Sequence, residues 1–368
     1  MEDWDCSAIH ISWKNMKNKG KVKVSKKTKK NKSHKIRWTT YVLLFIDFCA
    51  ILGVLAMYGP ISFARDWYVT TAMGTGTKRY LAQIFYSNDS INKILDENSI
   101  YFVDEDIDLT GVNVGDWQSD GNYASIYEQE ILERESPDQE YKVIRINENK
   151  YKGYLVVIYD PSRISLAIAQ NINSYGNLPS EIAKKNGAKV FINGSAFTNG
   201  SGKVSPVGTT IRNGKIISRG SPRSNGGLIG FTNEDILVVC KDTQENINQY
   251  NFRDAVSFGP FFVVNGKPSY TSGQAGGLQP RTAIGQRKDG IVLFLVIDGR
   301  SYSNGNGASY ADLTKIFIRY GAYNAGNMDG GGSSTLIVDG KLVNQPCGYG
   351  SCGQGYVERY VPNGWMFK

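Results

Sequence analysis

The run Asn327-Met328-Asp329-Gly330-Gly331-Gly332-Ser333-Ser334-Thr335 concentrates the chemistry of this chain in a carboxylate, three glycines and three hydroxyls. Consecutive glycines let backbone N–H groups converge on one point, the usual way to form an anion-binding nest. An acid beside such a nest suits work on a phosphorylated or otherwise anionic substrate. A plain turn between strands needs neither the acid nor the hydroxyls. Asn193, Gly194, Arg281, Thr282, Asp298 and Arg300 complete the candidate set. The planar fork of arginine binds phosphate oxygens in pairs. Asp298 and Asp329 suit two carboxylates flanking a glycosidic bond, or hard-cation ligands for calcium or magnesium, and residue types alone leave both open. Asp298 would also serve as the cap of a turn. Ser333, Ser334 and Thr335 have no histidine base nearby, so they read as groups that hydrogen-bond a substrate or hold Asp329, not as nucleophiles.

Histidine is the most useful absence. The chain has two, His10 and His34, both close to its start. Ser-His-Asp catalysis, Cys-His catalysis and histidine-ligated metal are thereby excluded beyond the first 37 residues. Proton transfer there falls to Asp, Glu, Lys, Tyr or water.

The elements that must position these groups are legible in part. Ile291 to Ile297 is apolar throughout, as expected of a strand buried on both faces, and it ends at Asp298-Gly299-Arg300. Ser309 with Asp312 three residues on resembles a capping box. Leu313, Ile316, Phe317 and Tyr320 make an apolar helix face, and Gly321 suits the residue that stops it. A second strand, 322–328, then delivers Asp329. This strand–helix–strand unit predicts parallel strands joined by a right-handed crossover, with Asp298 and Asp329 leaving one sheet edge, where open α/β sheets bind ligands. Earlier, Ser180 is expected to cap a helix ending near Gly187, and the strand Val190-Phe191-Ile192 brings Asn193 to the same cleft. Leu336-Ile337-Val338, an Asp339-Gly340 turn and Leu342-Val343 read as a β-hairpin. The fold class expected is a mixed α/β (α+β) domain with central parallel strands and antiparallel hairpins.

The net charge of +8 does not describe that domain. Residues 14–37 hold 12 Lys/Arg and no acid, which leaves 30 basic against 31 acidic residues over 38–368. The balance argues against nucleic-acid binding by the main domain. Tyr41 to Phe63 carries one charge, Asp47, and is long enough to cross a bilayer as a helix, with Tyr41 and Tyr58 at the interfaces. The cationic run precedes it, so the N-terminus is expected in the cytoplasm, on anionic lipid, and the C-terminal bulk outside. Ser62-Phe63-Ala64 could serve as a signal-peptidase site, but the length of the apolar run favours an uncleaved anchor. The division expected is a basic tail (1–37), an anchor (38–65), a stalk with a helix from about Lys78 to Glu97 (66–140), and a catalytic-type domain (141–368). Cys240 reads as a buried thiol. Cys347 and Cys352 flank a Gly-Tyr-Gly-Ser turn and could close a small disulfide loop in an oxidising compartment. Oligomeric state is left open.

Six motifs occur together and in order: Ile192-Asn193-Gly194; Pro206-Val207-Gly208 with Arg212-Asn213-Gly214-Lys215; Ser257-Phe258-Gly259-Pro260; Pro280-Arg281-Thr282-Ala283-Ile284-Gly285; Val296-Ile297-Asp298-Gly299-Arg300; and Met328-Asp329-Gly330-Gly331-Gly332-Ser333-Ser334-Thr335. Over about residues 150–366 the chain resembles the phosphodiester glycosidase family. The stretch Ser195-Ala196-Phe197 departs mildly from that pattern. The resemblance implies hydrolysis of a sugar joined through its anomeric carbon to a phosphodiester, in cell-surface or exported glycans such as exopolysaccharide. It implies Asp329 as the anionic catalytic group with Asp298 second. Arg281, Arg300 and the Gly330–Gly332 nest would take the phosphate, and Asn193 the sugar or a water. No cofactor is required on this reading, and a divalent cation, calcium or magnesium, is left open. Metal-dependent cleavage of the P–O bond and non-catalytic binding of exopolysaccharide are the competing expectations.

Overall fold

The computed structural model describes residues 30–368 apart from 61, 76–77, 102, 104, 116–120, 171, 173, 201–202, 222–225, 301–302 and 348–356, with the side chains of 30–37 and 199–200 also left aside. Most of the basic tail and Cys352 therefore lie outside the described residues. The chain divides into two compact units, 1–60 and 61–368.

The first unit holds the helix Lys30–Tyr58. Its segment Trp38–Tyr58 has a mean hydropathy of 2.2, is entirely unburied, and is long and apolar enough to cross a membrane. It is shorter than the expected span. Gly59 and Pro60 stop it, and Ser62 and Phe63 belong to a separate helix, Ser62–Met73.

The second unit is a set of antiparallel sheets. A seven-stranded sheet runs in the order Lys267–Pro268, Phe261–Val264, Ala322–Met328, Arg281–Arg287, Val292–Ile297, Lys152–Ile158, Tyr141–Asn147. One five-stranded sheet joins Lys341–Leu342, Leu336–Val338, Val190–Asn193, Asn363–Phe367 and Ile164–Ile168. Another joins Leu237–Cys240, Gly227–Thr232, Phe252–Phe258, Thr209–Arg212 and Lys215–Arg219. The central parallel strands expected from sequence are absent among the described residues. Arg281–Arg287 lies between Val292–Ile297 and Ala322–Met328 and is antiparallel to both. The two outer strands thus share a direction, and Asp298 and Asp329 do leave the same edge, but they are never neighbours. A wholly apolar strand reports burial on two faces, not the direction of its partners.

That two-faced burial is observed. Val292, Phe294 and Val296 face a core completed by Leu228, Val256 and Trp365 of the five-stranded sheets. Leu293, Leu295 and Ile297 face the other way, onto Leu313, Ile316 and Phe317 of the helix Tyr310–Arg319. This helix starts at the expected Ser309–Asp312 capping box, and Gly321 follows it at φ +73°. The Asp339-Gly340 hairpin also forms, with φ of 49° and 73° at its two central residues.

Two helix boundaries differ from expectation. The helix expected over about 78–97 is two, Tyr80–Phe85 and Asn88–Glu97. Ser87 caps the second by accepting the Ser90 N–H, a local bond that competes with helix continuation. Ser180 is not a cap. It sits inside the helix Pro179–Asn186, and its N–H and hydroxyl both donate to Glu358. The segment expected as a stalk adds the strand Ile100–Tyr101, paired with Tyr270–Thr271, and the helix Ser62–Met73, whose Thr71 carbonyl accepts from Gln279.

Candidate active site

Asp329 leaves the strand Ala322–Met328 where two sheets meet, and its backbone is clamped there. Its N–H donates to Gly194 O (2.9 Å), and its carbonyl accepts from Asn193 Nδ2 (2.6 Å). Asn193 Oδ1 accepts from Thr282 Oγ1 (2.8 Å) and Thr335 N (3.1 Å). One amide from the five-stranded sheet thus ties together three segments around Asp329. Asn193, expected to meet the sugar or a water, is only 1% exposed and engaged at both ends of its amide. Thr282, expected among the substrate contacts, is fully buried and donates to Asn193.

Gly194 has a structural reason. A Cβ there would sit 2.3 Å from Asn363 Oδ1. Asn363 in turn accepts the Ser195 N–H (2.8 Å) and donates to Ser195 Oγ (2.9 Å). The departure from the family pattern at Ser195-Ala196 is therefore buried in the framework.

The glycine run is a tighter device than an open nest. Gly331 to Ser333 form one 3₁₀ turn, with Gly331 at φ +61°. The Gly331 N–H donates to Pro280 O (2.8 Å), and the Ser333 and Ser334 N–H groups close onto Gly330 and Gly331. Gly330 and Gly332 keep the donors the run can offer a ligand. Ser333, Ser334 and Thr335 are buried rather than exposed to substrate. Thr335 Oγ1 donates to Ser333 O, whereas the Ser333 and Ser334 hydroxyls have no partner among the described residues.

Asp298 and Arg281 are also turned inward. Asp298 Oδ1 accepts from Gln345 N (2.8 Å) and Asn344 Nδ2 (3.1 Å), and Oδ2 from Asn304 Nδ2 (3.2 Å). Asn344 extends this to Ser334 O and the Leu336 N–H. Burial pushes the Asp298 carboxyl up, partly offset by the Gln345 and Asn344 donors. These bonds make Asp298 a tie between the loops that carry Asn304 and Asn344. Arg281 Nε donates to Ala308 O (3.0 Å) and Nη2 to Gly276 O (2.6 Å) and Gly277 O (2.9 Å), with the guanidinium 4.4 Å from the Tyr310 ring centre. Its Nε and Nη2 donors clamp the loops of Gly276, Gly277 and Ala308.

Arg300 is the arginine that reaches the glycine turn. It stands at φ +55° just past the strand Val292–Ile297, and its Nη2 lies 3.2 Å from where a Gly331 Cβ would be. Both Nε (3.1 Å) and Nη2 donate to Gln279 Oε1. Burial and the nearby charges of Arg281 and Arg359 hold its pKa down, the mark of a concentrated positive field. Gln279, Asn344, Asn363 and Arg359 were not anticipated from sequence. The Asn-Gly pair at 363–364, repeating the one at 193–194, was the available signal. Among the described residues no group of three or more His, Cys, Asp or Glu side chains is arranged to hold a metal ion. Cys240 is a buried free thiol, and Cys347 is disulfide-bonded, its Sγ 3.2 Å from Gly299 O.

Fold and site together define a mixed α+β domain of antiparallel sheets in which an acid begins a glycine turn and an arginine lies against that turn. Residues 186–368 match the family model of the phosphodiester glycosidases, and over these residues the chain carries a domain of that family. It is 24% identical over 188 residues to the N-acetylglucosamine-1-phosphodiester alpha-N-acetylglucosaminidase of Bos taurus, covering 45% of this chain and 34% of the bovine protein. It is 38% identical over 96 residues to the SPbeta prophage-derived uncharacterized protein YomE of Bacillus subtilis (strain 168), 25% of this chain and 15% of that one. The chain thus spans about a third or less of these relatives. The solved catalytic domain of the zebrafish N-acetylglucosamine-1-phosphodiester alpha-N-acetylglucosaminidase, auto-inhibited by its pro-peptide, shares the fold. Its TM-score is 0.53 at 20% identity, covering 63% of this chain and 84% of the zebrafish chain.

Proposed function

We propose that the chain is a hydrolase that releases a sugar from a phosphodiester attached at its anomeric carbon, with Asp329 as the catalytic carboxylate and Arg300 as the phosphate-binding cation. The observation that carries this reading is the placement of Arg300 against Gly331, two residues beyond Asp329. An anion held by Arg300 and by the Gly330 and Gly332 N–H groups would set a neighbouring anomeric carbon beside the carboxylate. The C1–O bond breaks with its electron pair leaving on a phosphate monoester, whose second pKa is about 6. Such a group departs without an acid, so the lack of histidine is no handicap. Asp329 stabilises the oxocarbenium-like carbon, and water supplies the new oxygen at C1. Asn193, Thr282, Asp298 and Arg281 keep these groups in place.

The substrate class proposed is an exported or cell-surface glycan. The apolar helix Trp38–Tyr58 acts as a single-pass anchor, with the basic residues before it in the cytoplasm and the site outside. The test is incubation with α-N-acetylglucosamine-1-phosphate methyl ester in ¹⁸O-water, followed by proton NMR and mass spectrometry. Free sugar carrying the label, unaffected by a chelator, is expected. Label in the phosphate would overturn C–O cleavage, and loss of release with a chelator would make the acids metal ligands first.

A further inference from the structure

We propose that Gln279 is a positioning residue that aims Arg300 at the glycine turn while leaving its positive charge available to the substrate. Gln279 is 2% exposed and lies outside the motifs that mark the family in this sequence. Its Oε1 accepts two donors of Arg300, and its Nε2 donates to the Thr71 carbonyl (3.0 Å). Its own backbone is paired with Ala308, its N–H donating to the Ala308 carbonyl (3.3 Å) and its carbonyl accepting the Ala308 N–H (2.9 Å). Gly307, at φ +104°, makes this approach possible, because a Cβ there would lie 2.2 Å from the Gln279 backbone. The next carbonyl, that of Pro280, accepts the Gly331 N–H. Two consecutive residues therefore hold both halves of the anion site, the guanidinium through a side chain and the glycine turn through the main chain.

The chemical type of the acceptor matters. Two other largely buried arginines meet carboxylates, Arg287 with Asp289 and Arg253 with Asp235, while Arg281 is spent on backbone carbonyls. Among the described residues Arg300 has no such ion pair and rests on a neutral amide. A carboxylate at this position would orient the guanidinium equally well but would cancel the charge an anionic substrate needs. The amide orients without neutralising. Through Thr71, the helix Ser62–Met73 becomes part of that support, although it precedes the residues that match the family.

This inference rests on Arg300 as the phosphate contact. The full-length protein in detergent micelles is assayed with the methyl phosphodiester as substrate and inorganic phosphate as inhibitor, for the wild type, Gln279→Glu and Gln279→Met. Gln279→Glu should raise both KM and the phosphate inhibition constant about tenfold or more, with kcat changed far less; both variants lose the bond to the Thr71 carbonyl, so their melting temperatures should fall together and the contrast between them reports the charge. Gln279→Met, which loses the hydrogen bonds but adds no charge, should raise KM and the inhibition constant less. Equal effects of the two variants on these constants, or a larger effect of Gln279→Met, would mean a structural role only. A wild type that turns over and is inhibited by phosphate while Gln279→Glu behaves identically overturns the role of Gln279 alone. A wild type blind to both ligands overturns the assignment of Arg300 as well.

Discussion

The side-chain amide of Asn193 donates to the backbone carbonyl of Asp329 at 2.6 Å, and this bond crosses from one sheet to another. With the Asp329 N–H on Gly194 O, it fixes the stem of the carboxylate before any substrate arrives. Such preorganisation is what electrostatic catalysis requires.

Replacing Asp329 by Asn should lower sugar release by about a hundredfold or more. The backbone clamp from Asn193 and Gly194 does not involve the carboxylate, so it should survive the substitution, and melts separate any loss of fold from loss of turnover. An Asp329→Asn variant that keeps most of its turnover would remove the central assignment.

Arg281→Met should act mainly on stability. It leaves the carbonyls of Ala308, Gly276 and Gly277 without their buried donor, at a cost of about 3 kcal/mol. Urea denaturation measures this. Phosphate inhibition of the folded fraction should weaken far less than in Arg300→Ala, and the reverse ranking would return Arg281 to the substrate.

Gly194→Ala tests the contact between the two Asn-Gly corners. The added Cβ meets Asn363 Oδ1 at 2.3 Å, and overpacking of this kind costs about 1–3 kcal/mol. Pairing it with Asn363→Ala should recover part of the space but lose the two bonds to Ser195, so the double variant should remain below the wild type in thermal melts.

The Asp298 carboxyl carries a pH signature. Burial raises its pKa above the ordinary value of about 3.9. The folded state then keeps a proton in a range where the unfolded chain has lost it, so this group lowers stability as pH rises through that window. Asp298→Asn removes the slope. The stability of the variant relative to wild type should improve as pH rises from about 4 to 7, as read from melts at several pH values. A flat difference would show that the buried donors fully compensate the charge.

Residue type and local spacing already determined several things in this chain: the acid beside the glycine run, the capped helix Tyr310–Arg319, the Asp339-Gly340 turn, the two-faced burial of Val292–Ile297 and the family of the C-terminal domain. Each depends on neighbours within a few residues, or on an ordered set of short motifs. Which arginine lies against the glycine turn was decided elsewhere. Arg281 and Arg300 are alike in sequence, each beside a glycine-rich loop. In the folded chain one is consumed by loop carbonyls and the other is turned toward Gly331 by Gln279. The insertion of Arg281–Arg287 between two co-directional strands was equally hidden, since strand partners lie dozens of residues apart and apolar pattern carries no direction. Long-range hydrogen bonding, set only when the sheets close on one another, chose the partners of Asn193, Asp298 and Arg281 and thereby turned these three side chains inward.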